Sequence, residues 1–161
     1  MFLPVEVVGV RIEMPSNQPL VLLRESNGGR ILPIWIGGVE ATAIAMAQQN
    51  IESARPLSHD LMREILEATG TFLTSIHITG VRDGIFFAEL NLRTDEGVLP
   101  SISARPSDAI ALALRTKSNI LVAAELFDQM SLDTAPEDGS ESAVEAFREF
   151  LENVDPEDFT A

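Results

Sequence analysis

The chain moves between short β-branched runs and longer segments of helical period. Val5 to Ile12 is rich in Val and Ile, which predicts a strand with Val5, Val7, Gly9 and Arg11 on one side. Pro15-Ser16-Asn17-Gln18-Pro19 predicts a turn, and Leu20 to Arg24 a second apolar strand. Asn27-Gly28-Gly29 predicts a hairpin, because Asn and Gly accept the positive φ of a tight turn. Ile31 to Ile36 gives a third strand. Pro33 has no N–H to offer a neighbour, so it places that strand at an edge or at a bulge. Gly37-Gly38 breaks the chain, and the Ala-rich run Val39 to Gln49 predicts a helix.

The same order then returns. Ile76-His77-Ile78-Thr79-Gly80-Val81-Arg82 echoes Val5 to Arg11. Asp83-Gly84 is a second hairpin turn, Phe86 to Arg93 a second middle strand, and Leu99-Pro100-Ser101-Ile102 matches Leu32-Pro33-Ile34-Trp35. Ala109 to Ala113 matches Ala43 to Ala47. The pattern predicts an α+β fold: two internally duplicated β-β-β-α units, from near residues 5 and 74, packed around a shared core. After the first unit, Ser58 is the expected cap of a helix running to Ala68, with Leu61, Met62, Ile65 and Leu66 as its apolar face. After the second, Asn119 to Ala123 predicts a buried strand and Ala124 to Gln129 a short helix.

Residues 134–161 read differently. A Pro- and Gly-containing linker leads to Ser142 and Glu145, a capping box, and then Val144, Phe147, Phe150, Leu151 and Val154 share one helical face. The domain is therefore expected over 1–133, with a C-terminal amphipathic acidic helix beyond it. Residues 135–161 carry nine acidic residues and one Arg. They account for −8 of the net −14 and leave −6 on the body.

Composition removes several chemistries. There is no Cys, so disulfides, thiolate metal sites and a Cys nucleophile are excluded. No P-loop, dinucleotide fingerprint, HExxH or nucleophile-elbow pattern is present. No signal peptide or membrane-length apolar run is visible, so the expectation is a cytoplasmic chain with no membrane partner. An acidic chain is a poor coat for nucleic acid, whose phosphates call for clustered Lys and Arg.

Two polar clusters carry the candidate chemistry. Arg55-Pro56-Leu57-Ser58-His59-Asp60 sets a guanidinium, an imidazole and a carboxylate at a helix start. Helix starts attract phosphate, Arg binds it bidentately, and His moves protons near neutral pH. Arg105-Pro106-Ser107-Asp108 opens the second unit's helix in the same way. Ordinary capping accounts for the Ser and Asp residues but not for either Arg. Glu40, in a first helical turn, could join Asp60 and Asp108 as an oxygen ligand for Mg²⁺. His77, Glu89 and Trp35 read as sheet-surface, solvent-side and core or interface residues respectively.

The segments Leu32-Pro33-Ile34-Trp35-Ile36-Gly37, Glu40-Ala41, Arg55 to Leu61 and Ser103 to Ala111 resemble the signature segments of the bifunctional nuclease (BFN) family, in the same order over roughly residues 5–130. The resemblance implies an α+β domain, often oligomeric, with DNase and RNase activity in some members. It brings no mechanism or metal site with it. Plant members often carry a C-terminal UVR-type motif, which the acidic tail here does not match. Together with the two Arg-Pro helix starts, it gives a first functional reading: a phosphodiesterase acting on nucleic acid. Arg55, Arg105 and Ser107 would hold substrate, His59, Asp60 and Asp108 would be catalytic, and Glu40, Asp60 and Asp108 would hold the metal. A homo-oligomer, a dimer by preference, is expected. The alternatives are a non-catalytic oligomeric module, suggested by the charge, and a small-anion or nucleotide sensor using the same Arg residues.

Overall fold

The computed structural model describes residues 1–133. The acidic linker and C-terminal helix expected over 134–161 lie outside the described residues. Among the described residues nine strands form one mixed sheet, and four helices accompany it: β1 (Phe2–Glu13), β2 (Gln18–Glu25), β3 (Arg30–Trp35), α1 (Gly38–Gln48), α2 (Ser58–Ala68), β4 (Phe72–Arg82), β5 (Ile85–Thr94), β6 (Gly97–Val98), β7 (Ile102–Ala104), α3 (Pro106–Thr116), β8 (Asn119–Ala123), α4 (Ala124–Met130) and β9 (Leu132–Asp133). The sheet order is β6-β5-β4-β8-β1-β2-β3-β9, with β7 paired to β5. Consecutive strands pair as antiparallel hairpins, β1 with β2 and β4 with β5. β8 joins the two sets, antiparallel to β1 and parallel to β4. Among the described residues no helix is long and apolar enough to cross a membrane.

The main core lies between the sheet and the helices. Val21, Leu23, Leu32, Ile34, Ile76 and Ile78 meet Ala41 and Ile44 of α1, Ala109 to Ala113 of α3, and Leu126 and Phe127 of α4. The Ala content predicted from sequence now has a function, because small side chains let α1 and α3 approach each other and the sheet. Leu20, Leu22 and Ile31 form a small second core on the opposite face, so β2 is buried on both sides. Pro33 pairs with Leu22 on one side, while β9 reaches only Arg30 and Ile31 on the other. The proline therefore faces the open part of an edge, where its missing N–H leaves no bond unmade.

Three local expectations are corrected. The register of β1 shifts between Val7 and Gly9, so beyond the bulge Val10 and Ile12 are the buried residues, and not Arg11. A bulge adds one residue and turns the following side chains to the other face. The cap of α2 is Leu57, not Ser58, and no side chain caps it. Instead the Leu57 N–H donates to the Asp60 carboxylate at 3.1 Å. Finally, Leu61, Met62 and Ile65 are exposed, and His59 is the buried residue of α2. Of the expected apolar face Leu66 packs against the core, while the polar first turn is directed inward at His59.

Candidate functional site

α3 lies between α1 and α2 and packs against both. The starts of all three helices therefore come together, and the residues chosen from sequence at those starts meet. Pro106 opens α3 at a position where its fixed φ suits the helix and no N–H is needed. That leaves Arg105 just outside the helix and Asp108 in its first turn. Arg105 donates from Nε to Asp108 Oδ2 at 2.7 Å and from Nη2 to Glu40 Oε1 of α1 at 2.8 Å. The other Asp108 oxygen lies 2.9 Å from His59 Nε2 of α2. His59 is only 5% exposed, whereas the Arg105 side chain is 65% exposed. These groups line a cleft of about 750 Å³ whose walls include Val39, Pro56, Leu57 and Met62.

Asp60 belongs to the same helix start but has a different partner. Its Oδ1 accepts from Arg115 Nε at 2.7 Å. Arg115 also donates to the Ala43 carbonyl of α1 at 3.1 Å and to the Ala111 carbonyl at 2.9 Å. Its side chain is 6% exposed. One guanidinium thus ties α1, α2 and α3 together beneath the cleft. The sequence reading missed Arg115, although it lies seven residues after Asp108 and so on the same helical face.

The other site residues divide. Arg55 is exposed, and it does not line the cleft that its neighbour Pro56 borders. Ser107 is buried and lines a neighbouring cleft, on the other side of Arg105. Glu40, Asp60 and Asp108 do not form the ligand set expected for Mg²⁺. Each carboxylate is bound to an arginine, and among the described residues no group of three or more His, Asp or Glu could hold a metal ion. Trp35 is 44% exposed, and so is not a core residue. The His77 ring packs against Phe2 with centroids 4.5 Å apart and the ring planes tilted by 35°. A Cβ at Gly37, just before α1, would push the Glu40 carboxylate from its present place.

Electrostatics fixes the charge states. Burial pushes the Asp108 carboxyl up, but hydrogen bonds from Arg105 and His59, with the Arg105 charge, outweigh it and hold the group below its ordinary value. Burial acts on Asp60 in the same direction and is outweighed by Arg115, the Leu57 N–H and Arg63. The Arg105 guanidinium is raised by its bonds to Asp108 and then Glu40. Asp108 is therefore an acceptor, so a neutral His59 carries its proton on Nε2 and leaves Nδ1 free to accept one.

The sign of the pH effect follows. Both aspartates have folded values below the ordinary 3.8, so their contribution to stability is complete above that pH and is lost as pH falls through the folded values. Urea unfolding at neutral pH and at about pH 3 is expected to show a larger acid loss for the wild type than for an Asp60→Asn, Asp108→Asn variant. Equal losses would remove the two carboxylates from the acid response.

In this mixed α+β fold α1, α2 and α3 start at one cleft, which holds the buried His59 and the half-buried Asp108 beside the exposed Arg105. The bifunctional nuclease domain matches residues 21–135 of the chain. An uncharacterised protein of Mycobacterium tuberculosis is 46% identical over 164 residues, 98% of each chain. Bifunctional nuclease 2 of Arabidopsis thaliana is 30% identical over 114 residues, covering 68% of this chain and 35% of the plant protein. Bifunctional nuclease 2 of Oryza sativa subsp. japonica is 30% identical over 117 residues, covering 71% and 36%. The chain belongs to the bifunctional nuclease domain family.

Proposed function

We propose that this chain hydrolyses phosphodiester bonds of DNA and RNA, with His59 and Asp108 as its proton-transfer pair. The observation that carries this reading is the 2.9 Å contact between His59 Nε2 and Asp108 inside the cleft, next to an exposed arginine. Asp108 fixes the imidazole tautomer, and Nδ1 takes a proton from water as that water attacks phosphorus. The bond from phosphorus to the leaving oxygen then breaks, and that oxygen takes up a proton. Arg105 binds the phosphate, whose oxygens replace Glu40 on the guanidinium and match its planar fork. Arg55 adds a second positive charge near the start of α2. Family membership and the plant relatives' names support the reaction class. The −14 charge argues against broad coating of nucleic acid and for engagement confined to the cleft.

The test uses highly purified protein with defined single-stranded DNA and RNA, with and without EDTA. Cleavage that survives EDTA and drops about a hundredfold in His59→Ala is the expected result. Cleavage by His59→Ala at the wild-type rate would show that the activity lies elsewhere or comes from a contaminant. The same reading takes the β1–α1 and β4–α3 runs as copies of one unit. Its support is that β1 and β4 both shift register immediately before a glycine, Gly9 and Gly80. Backbones of the two runs that failed to superpose strand for strand would count against it.

A further inference from the structure

The chemistry above leaves unused the cleft on the other side of Arg105. It has a volume of about 470 Å³ and is lined by Gln18, Trp35, Ile85, Phe86, Arg105 and Ser107, among others. That volume lies within the range of small-ligand sites. Trp35 ends β3 at 44% exposure, and Ile85 begins β5 at 62%. The Trp35 indole N–H donates to the Glu13 carboxylate at 2.6 Å, so the ring is held by its polar edge. Gln18 supplies an amide donor and acceptor, and Ser107, 6% exposed, supplies a hydroxyl. Arg105 borders the cleft that holds His59 and also the one that holds Trp35.

We propose that this second cleft takes one unpaired nucleobase, stacked on Trp35, from the nucleotide whose phosphate sits at Arg105. The inference rests on the nucleic-acid reading of the first cleft, but stacking needs no cleavage. Every base has a π face, so the contact tolerates sequence, with Gln18 and Ser107 meeting the base edge. A base held in a duplex is not free to enter, so single strands are bound in preference to duplexes.

Trp35 is the only Trp in the chain, and there is no Tyr. Tryptophan emission therefore reports this ring alone. A short phosphorothioate oligothymidylate and AMP are each expected to quench it, while ribose 5-phosphate, which lacks a base, leaves it unchanged. Trp35→Leu is expected to weaken oligonucleotide binding, read by anisotropy of a labelled strand, by roughly tenfold. Trp35→Phe should recover most of that loss, and unchanged circular dichroism would show that both variants fold. Equal quenching by ribose 5-phosphate would overturn the proposal, as would wild-type binding by Trp35→Leu. So would emission that follows protein concentration and ignores nucleotide, since the patch would then be a contact between copies of the chain. Quenching without any cleavage would support the base site and sink only the catalytic reading. Cleavage with an unchanged KM in Trp35→Leu would do the reverse.

Discussion

Asp108→Asn is expected to lower phosphodiester cleavage by about a hundredfold or more at neutral pH while the protein stays folded. The side chain keeps its shape, so the change is chemical. A carboxylate only accepts hydrogen bonds, which places the imidazole proton on Nε2, 2.9 Å away. An amide can donate to Nε2 instead. The proton then sits on Nδ1, where the base is needed. The loss should fall on kcat, with KM little changed. Arg105 keeps its charge and stays held by Glu40 in the free protein, ready to exchange that partner for phosphate, so phosphate binding has no reason to collapse. If kcat of Asp108→Asn stays within threefold of wild type, the His59–Asp108 pair is structural and the catalytic assignment fails.

Arg115→Met should produce the largest loss of stability among changes near the site, about 3 kcal/mol. The methionine stem preserves much of the packing volume, so the effect isolates the guanidinium. Its removal leaves the Asp60 carboxylate without its cation and the Ala43 and Ala111 carbonyls without a donor. Asp60 is only 22% exposed, and a half-buried charge stripped of its partner is costly, whereas removing both partners is much less so. Urea unfolding should show a lower midpoint at unchanged slope, and adding Asp60→Leu should recover part of the loss. A change under about 1 kcal/mol would mean that water already satisfies these groups.

Much of this was legible because local chemistry and global position agreed. Gly, Pro and Asn punctuation marked the hairpins, and the Arg-Pro start of α3 marked a helix whose first turn faces the cleft. His59 and Asp108 were chosen from separate helix starts, and the packing of α2 on α3 joined them. What escaped depends on distances that sequence does not encode. The bulge in β1 reverses an alternation that looks regular. α2 has a clear apolar stripe, yet Asp60 is drawn inward by Arg115, and the helix is fixed by its polar end. Arg115 carried no motif, and only its period with Asp108 hinted at it. Arg55 looked like the twin of Arg105, but it follows a loop and not a strand, and it does not line the cleft.

The place of β8 between β1 and β4 sets an order on the birth of this molecule. Without residues 119–123 the strands before it fall into two sets that share no ladder. A nascent chain halted at Lys117 would already contain Glu40, His59, Arg105, Asp108 and Arg115. It would lack the strand that, among the described residues, joins the two sets into a single sheet, so the residues of the cleft are made before that sheet can close.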